Sequence, residues 1–171
     1  MASAWPEPVE RVSSFLRASG VESRIQEFPE GTPTAEAAAE AAGCELEQIV
    51  KSLVLVCDER PVVALVPGDR RGDPTKVAHA VDATSARVAK ALEVEHATGF
   101  APGAVAPFPL RQVEIVLMDH ALYHHEIVWA GAGSARHIMG ISPGELGRLA
   151  RVRPMDVAAD QPYDSSTPKE S

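Results

Sequence analysis

Cysteine, aromatic side chains and positive charge are all scarce in this chain of 171 residues. Its two cysteines, Cys44 and Cys57, form no CxxC, so neither a disulfide framework nor a zinc knuckle is implied. Sixteen Lys and Arg against 24 Asp and Glu give a net charge of -8. That balance argues against broad, nonspecific binding of DNA or RNA, where affinity comes mainly from basic side chains displacing counterions. A short local contact stays open to it, and Arg70, Arg71 and Lys76 are candidates for a basic patch or for an ordinary solvated turn. Asp58, Glu59 and Arg60 break the longest apolar stretch far short of the ~20 residues of a membrane span. The N-terminus lacks the basic start and apolar block of a secretory signal, and with the cysteine usage this gives a cytoplasmic expectation.

Aromatic residues make up only 5% of the chain, and Trp5, Phe15, Phe28 and Trp129 fall on predicted element faces rather than in a basic stripe. No GxSxG, P-loop or GxGxxG occurs. Gly131-Ala132-Gly133-Ser134-Ala135 is not a nucleophile elbow, because no helix is predicted after Ser134. His120 and His124 would share one face of a helix, a zinc-ligand spacing. The glutamate of HExxH is missing, however, and the sequence turns to a strand near Glu126, so no metal is assigned. No cofactor is called for.

With 45% apolar and 23% charged residues, the composition is that of one globular domain, able to bury roughly two thirds of its unfolded surface. The domain is expected over residues 1–155, with 156–171 as a flexible tail, because the stretch from Asp160 holds little apolar material. Helical spacing of Val9, Val12, Phe15 and Leu16 predicts an opening helix ended near Gly20. Ser23 to Phe28 reads as a short strand, and Thr34 as the cap of an alanine-rich helix closed by Gly43. The β-branched runs Val50 to Cys57 and Pro61 to Val66, with three residues between them, predict a hairpin. Asp73-Pro74 starts a helix, a short strand near Arg87 and Val88 and a helix through Ala97 follow, and a loop runs from Gly99 to Pro109. Val113 to Met118, Glu126 to Ala132 and Arg136 to Ile141 look extended, and Ser142-Pro143-Gly144-Glu145 opens a last helix. About seven strands and five helices, with the later strands too close for helical crossovers, predict an α+β fold around a mixed, largely antiparallel sheet.

Two features carry chemistry. Lys51 stands among Val50, Leu53 and Val54, where a partly desolvated ammonium either finds an anionic partner or has its pKa lowered. A lysine at a strand end whose head reaches water is the alternative. The small-residue loop Gly103-Ala104-Val105-Ala106-Pro107 offers backbone amides with little obstruction, as oxyanion stabilisation requires, although a tight surface connection would look the same.

Thr32-Pro33-Thr34-Ala35-Glu36, Ile49-Val50-Lys51-Ser52-Leu53, Val66-Pro67-Gly68-Asp69, Thr98-Gly99-Phe100 and the GxxxP loop from Gly103 to Pro107 stand in one order. In that order they resemble the YbaK/EbsC family of aminoacyl-tRNA deacylases, related to the editing domain of bacterial prolyl-tRNA synthetase. The resemblance runs from about Val9 to Val152. It implies a curved, barrel-like sheet surrounded by helices, and a trans-editing hydrolase acting on the acceptor end of mischarged tRNA. The substrate it implies is tRNA-Pro carrying Ala, Cys, Ser or Thr. Prolyl-tRNA synthetase is a second partner that it allows; DNA and membranes are not expected. The family's essential lysine falls on Lys51, and Gly103 and Pro107 belong to the loop beside the ester. Thr34 lies in the first of the shared segments. Gly133, Ser134 and His137 lie at the glycine-rich turn that contributes to substrate choice, with a half-exposed strand histidine as the alternative for His137, and Phe28 stands near a position where some relatives carry tyrosine. A noncatalytic module binding tRNA ends or a synthetase is the alternative.

Overall fold

Two β-branched runs form the centre of the fold. The computed structural model describes residues 5–22 and 24–162. Strands β2 (Ile49–Cys57) and β3 (Arg60–Pro67) pair antiparallel from Val50↔Pro67 to Cys57↔Arg60. The turn is shorter than the three residues expected: Asp58 and Glu59 make it alone, with φ of 46° and 72°, as two-residue hairpins whose twist matches the strands demand. The Asp58 carboxylate accepts the backbone N–H groups of Thr84 and Ser85 and the Thr84 hydroxyl, which ties the hairpin tip to the chain ahead of β5 (Ala86–Val88). These bonds hold its carboxyl below the ordinary carboxylate range.

On the far side of β3 lie β6 (Ile115–Asp119) and then β9 (Arg153–Met155), both parallel. On the other side, β7 (Val128–Ser134) runs parallel to β2 at Ile49 and Val50 only. Beyond it come β8 (His137–Ile141) and β1 (Arg24–Glu27), both antiparallel. The order is therefore β1-β8-β7-β2-β3-β6-β9, with β5 joined to β2 at Leu55–Cys57. Antiparallel pairings hold a bare majority in this eight-stranded sheet. A second, two-stranded sheet pairs β4 (Arg70–Gly72) with β10 (Ala158–Pro162).

Helix α1 (Glu7–Ala18) buries Val9, Val12 and Leu16 along one face and reaches Gly20 at φ 71°. Helix α2 (Ala35–Ala42) is capped by Thr34, whose hydroxyl accepts the Ala37 N–H, and closes on Gly43. Asp73 caps α3 (Pro74–Ala80), and Ser142 caps α5 (Pro143–Ala150). Between them, α4 (Ala91–Thr98) leads into the loop through Thr98, whose buried hydroxyl donates to the Val94 carbonyl and accepts the Phe100 N–H.

Strand alternation divides the interior. Val50, Val54, Val63, Leu65, Val116 and Met118 meet α1, Phe100, Phe108 and α5 on one face. Leu55, Cys57, Val62, Ala64, Val66 and Leu117 meet Val77 of α3, Val81 just after it, and Val157, on the other. Cover on both faces explains why every residue from Val62 to Val66 is buried.

Three strands go beyond the seven expected. β4, β9 and β10 are three to five residues long and give no periodic signal of their own. The boundary at residue 155 also moves: Val157 and Ala158 are buried and β10 is paired, so residues 156–162 belong to the fold. Residues 163–171 of the expected tail lie outside the described residues, as does Ser23 of the first strand. His120–His124 is a 3₁₀ turn capped by Asp119. At about three residues per turn, His120 and His124 point in different directions. Among the described residues no group of three His, Cys, Asp or Glu is placed to hold a metal. No described helix is long and apolar enough to cross a membrane.

Candidate functional site

The sheet has a gap beside Lys51. On the edge of β2 turned away from β3, β7 takes up residues 49–50 and β5 residues 55–57. Among the described residues Ser52 has no strand partner on this edge. Two hydrogen bonds fix the direction of the main chain here: Gly68 N–H donates to the Ile49 carbonyl on the β3 side, and Ala89 N–H to the Val54 carbonyl on the other. Residues two apart point the same way, so the N–H and C=O of Ser52 face the gap.

A cavity of about 620 Å³ fills this gap. Its floor is Val50 to Val54, and its walls come from the start of α2, the start of α4, the loop at Pro102, Gly103 and Val105, and β7 at Trp129 to Gly131. The loop sits tightly on β7: a Cβ on Gly131 would come within 3.0 Å of the Val105 carbonyl oxygen, so glycine there permits the approach. Gly103 has φ 80°, a left-handed conformation that favours glycine. The Ala104 N–H donates to the Ala101 carbonyl, so that amide is held within the loop's own turn.

Among the described residues, Lys51 and Lys90 are the charged residues of the lining, which includes no aspartate or glutamate. Both lysines stand in a chain of net charge -8. The Lys51 ammonium donates to the Arg70 carbonyl. At the opposite wall, the Ser134 hydroxyl lies 2.6 Å from Nδ1 of His137 and accepts the Arg136 N–H. His137 is 1% exposed, and burial lowers its pKa below the ordinary 6.5. Nε2 stands 3.4 Å from a Glu27 carboxylate oxygen without hydrogen-bond geometry. Ser52 Oγ, also buried, has no hydrogen-bond partner among the described residues.

Of the residues singled out from sequence, Lys51, Thr34, Gly103, Ser134 and His137 line the cavity. Pro107 does not: it is buried behind the wall between Ala106 and Phe108, and Val105 and Pro102 occupy the lining instead. Gly133 also lies elsewhere, with φ 106° and no room for a Cβ, which would meet the Pro8 backbone at 2.8 Å; its role is to let α1 pack on β7. Phe28 follows β1 at the sheet's edge, its N–H bonded to the Arg136 carbonyl, with β8 and β7 between it and β2. The expected basic patch is largely engaged, because Lys76 pairs with Asp156 and Asp160 while Arg70 donates to the Asp160 carbonyl. Sequence reasoning passed over Ser52, Lys90 and Trp129. Ser52 lay inside a motif already noted, whereas Lys90 gave no signal beyond preceding a helix.

Residues 29–149 match the aminoacyl-tRNA editing domain. The chain belongs to that family. Among relatives of this editing domain, it is 33% identical over 115 residues to a proline--tRNA ligase of Maridesulfovibrio salexigens, covering 67% of the chain and 20% of the ligase. The chain thus spans about a fifth of the length of that synthetase. It is 31% identical over 130 residues to the uncharacterized protein YwhH of Bacillus subtilis, covering 75% of this chain and 82% of YwhH. A solved structure provisionally described as a trans-editing enzyme for prolyl tRNA synthetase superposes with a TM-score of 0.86 at 33% identity, covering 91% of this chain and 99% of the other. The hypothetical protein APE2540 gives a TM-score of 0.81 at 26% identity, covering 87% and 99%. The expected likeness to an editing domain and the mixed α+β fold are both borne out.

Proposed function

We propose that this editing domain is a hydrolase that deacylates mischarged tRNA, with tRNA-Pro bearing Ala, Cys, Ser or Thr as its substrate. The observation that carries this reading is a cavity lined, among the described residues, by two lysines and no carboxylate within an acidic chain. Such a site admits the polyanionic end of a nucleic acid while the remaining surface repels a long phosphate backbone. At about 620 Å³ it suits an aminoacyl group and its terminal sugar, not a duplex. Its small apolar walls, Ala130, Val94 and Val105, suit a small side chain.

In this reading the Lys51 ammonium, oriented by the Arg70 carbonyl, meets a phosphate or the ester carbonyl of the substrate. Water adds to the ester carbon with help from the neighbouring ribose hydroxyl. A backbone N–H holds the oxyanion, and the Ser52 N–H at the open edge of β2 is placed to serve. The bond to the ribose oxygen then breaks, releasing the free amino acid and the ribose hydroxyl. Ester bonds of this kind are labile, so positioning and one charged contact suffice. The site works without a cofactor in this scheme, and the deacylase acts in the cytoplasm, where charged tRNA is used. Prolyl-tRNA synthetase is the proposed partner, on the strength of the synthetases that share the domain.

The test is release of labelled amino acid from a panel of mischarged tRNAs. Lys51→Ala should slow release by about a hundredfold or more, the scale of one lost transition-state contact, with circular dichroism unchanged. Undiminished turnover would remove the lysine from the mechanism. Binding of the tRNA without release would identify a noncatalytic module. Equal cleavage of simple esters would point to an unrelated small-molecule hydrolase.

A further inference from the structure

Lys51 is held from outside the cavity. Its ammonium donates to the carbonyl of Arg70, the first residue of β4, and β4 is itself clamped. On one side Gly72 lies so close to Leu53 that an added Cβ would stand 2.3 Å from a Leu53 methyl carbon. On the other side β4 pairs with β10.

The segment carrying β10 is gripped by a set of contacts from the body of the domain. Lys76, on α3, places its ammonium 3.0 Å from an Asp156 carboxylate oxygen, 2.8 Å from the Ala158 carbonyl and 2.7 Å from an Asp160 carboxylate oxygen. Asp119 accepts the N–H groups of Val157 and Ala158 at 3.0 and 2.9 Å, and the Asp73 N–H donates to the Val157 carbonyl. Arg70 itself donates to the Asp160 carbonyl.

We propose that Lys76 is a positioning residue for Lys51: by holding residues 156–160 against β4, it fixes the Arg70 carbonyl and with it the direction in which the Lys51 ammonium enters the cavity. The proposal rests on the role given to Lys51 in the deacylase reading. A lysine side chain has four rotatable carbon–carbon bonds, so a fixed acceptor restricts its aim, and a misplacement of about 1 Å can cost on the order of a hundredfold in rate. The Asp156 and Asp160 side chains are 70% and 86% exposed, and ion pairs with such partners contribute little to stability. The grip therefore matters more for geometry than for folding. The two carboxylates raise the pKa of Lys76, so the grip persists through the neutral range.

The deciding measurement is competitive acetylation of the intact protein with trace acetic anhydride, read at each lysine by peptide mass spectrometry. In Lys76→Met, and independently in the double variant Asp156→Asn, Asp160→Asn, Lys51 should label several-fold faster while Lys90 labels as before. Lys76→Arg should restore the wild-type rate at Lys51. In the release assay the same variants should lose about tenfold in kcat, a part of the cost of misplacement, with a smaller change in KM. Unchanged labelling of Lys51 in both variants overturns the proposal, and so does a parallel rise at Lys90, which would report general loosening. Failure of the wild-type protein to release any amino acid would sink the deacylase reading alone, since the labelling experiment does not depend on it.

Discussion

Asp119 and His137 are both almost wholly buried, at 6% and 1% exposure, yet the chain treats them in opposite ways. Asp119 sits at the end of β6 and accepts three backbone N–H groups, those of Ala121, Val157 and Ala158. His137 has one bonded nitrogen and, among the described residues, one without a hydrogen-bond partner, and the Ser52 hydroxyl across the cavity shares that condition. An unsatisfied buried polar group costs about 1–3 kcal/mol. Asp119 is fully matched, whereas two buried polar atoms around one cavity, His137 Nε2 and Ser52 Oγ, have no hydrogen-bond partner among the described residues.

Three measurements would sharpen or break that contrast. The largest effect belongs to Asp119→Ala, which strips acceptors from three N–H groups and should lower stability by about 3 kcal/mol, read from urea unfolding. A loss below 1 kcal/mol would show that water replaces the carboxylate and that Asp119 is no structural anchor.

His137 gives a smaller, pH-dependent effect. Burial favours its neutral form, so the unfolded chain takes up the proton first as pH falls. Stability should be highest above about 6.5, the ordinary value, and decline as pH drops through it toward the lowered folded pKa. Unfolding midpoints from pH 8 to 5 should flatten in His137→Gln; the same slope in both proteins would show that another group titrates.

The smallest change is expected for Ser52→Ala. Removing a hydroxyl that has no partner should leave stability unchanged or raise it by up to about 1 kcal/mol. A clear loss in thermal unfolding would mean that the hydroxyl is bonded after all.

Local chemistry made much of this fold legible. Thr34, Asp73 and Ser142 were read correctly as caps because each side chain meets amides only two or three residues ahead. The hairpin of β2 and β3 followed from two β-branched runs with almost nothing between them. Pairings between distant segments left no comparable trace. Nothing in Arg70–Gly72 or Ala158–Pro162 shows alone that these stretches meet, since their bonds lie nearly ninety residues apart. The site divided on the same line. Lys51 stood out as a charge in an apolar run, and Gly103 as part of a small-residue loop. Pro107, Gly133 and Phe28 are neighbours in sequence or motif that the backbone carries away from the lining. Ser52 was hidden because its significance comes from β7 and β5 stopping short of it.

That shortfall in the sheet has a further consequence. The base of the cavity includes the peptide backbone of residues 50–54, which any substitution other than proline leaves in place, while the surrounding walls are ordinary side chains. Exchanging Val94, Val105 or Ala130 for larger or smaller residues would recut the chamber around a fixed template. Selectivity could thus be retuned from the sides with the anchoring chemistry underneath left as it was.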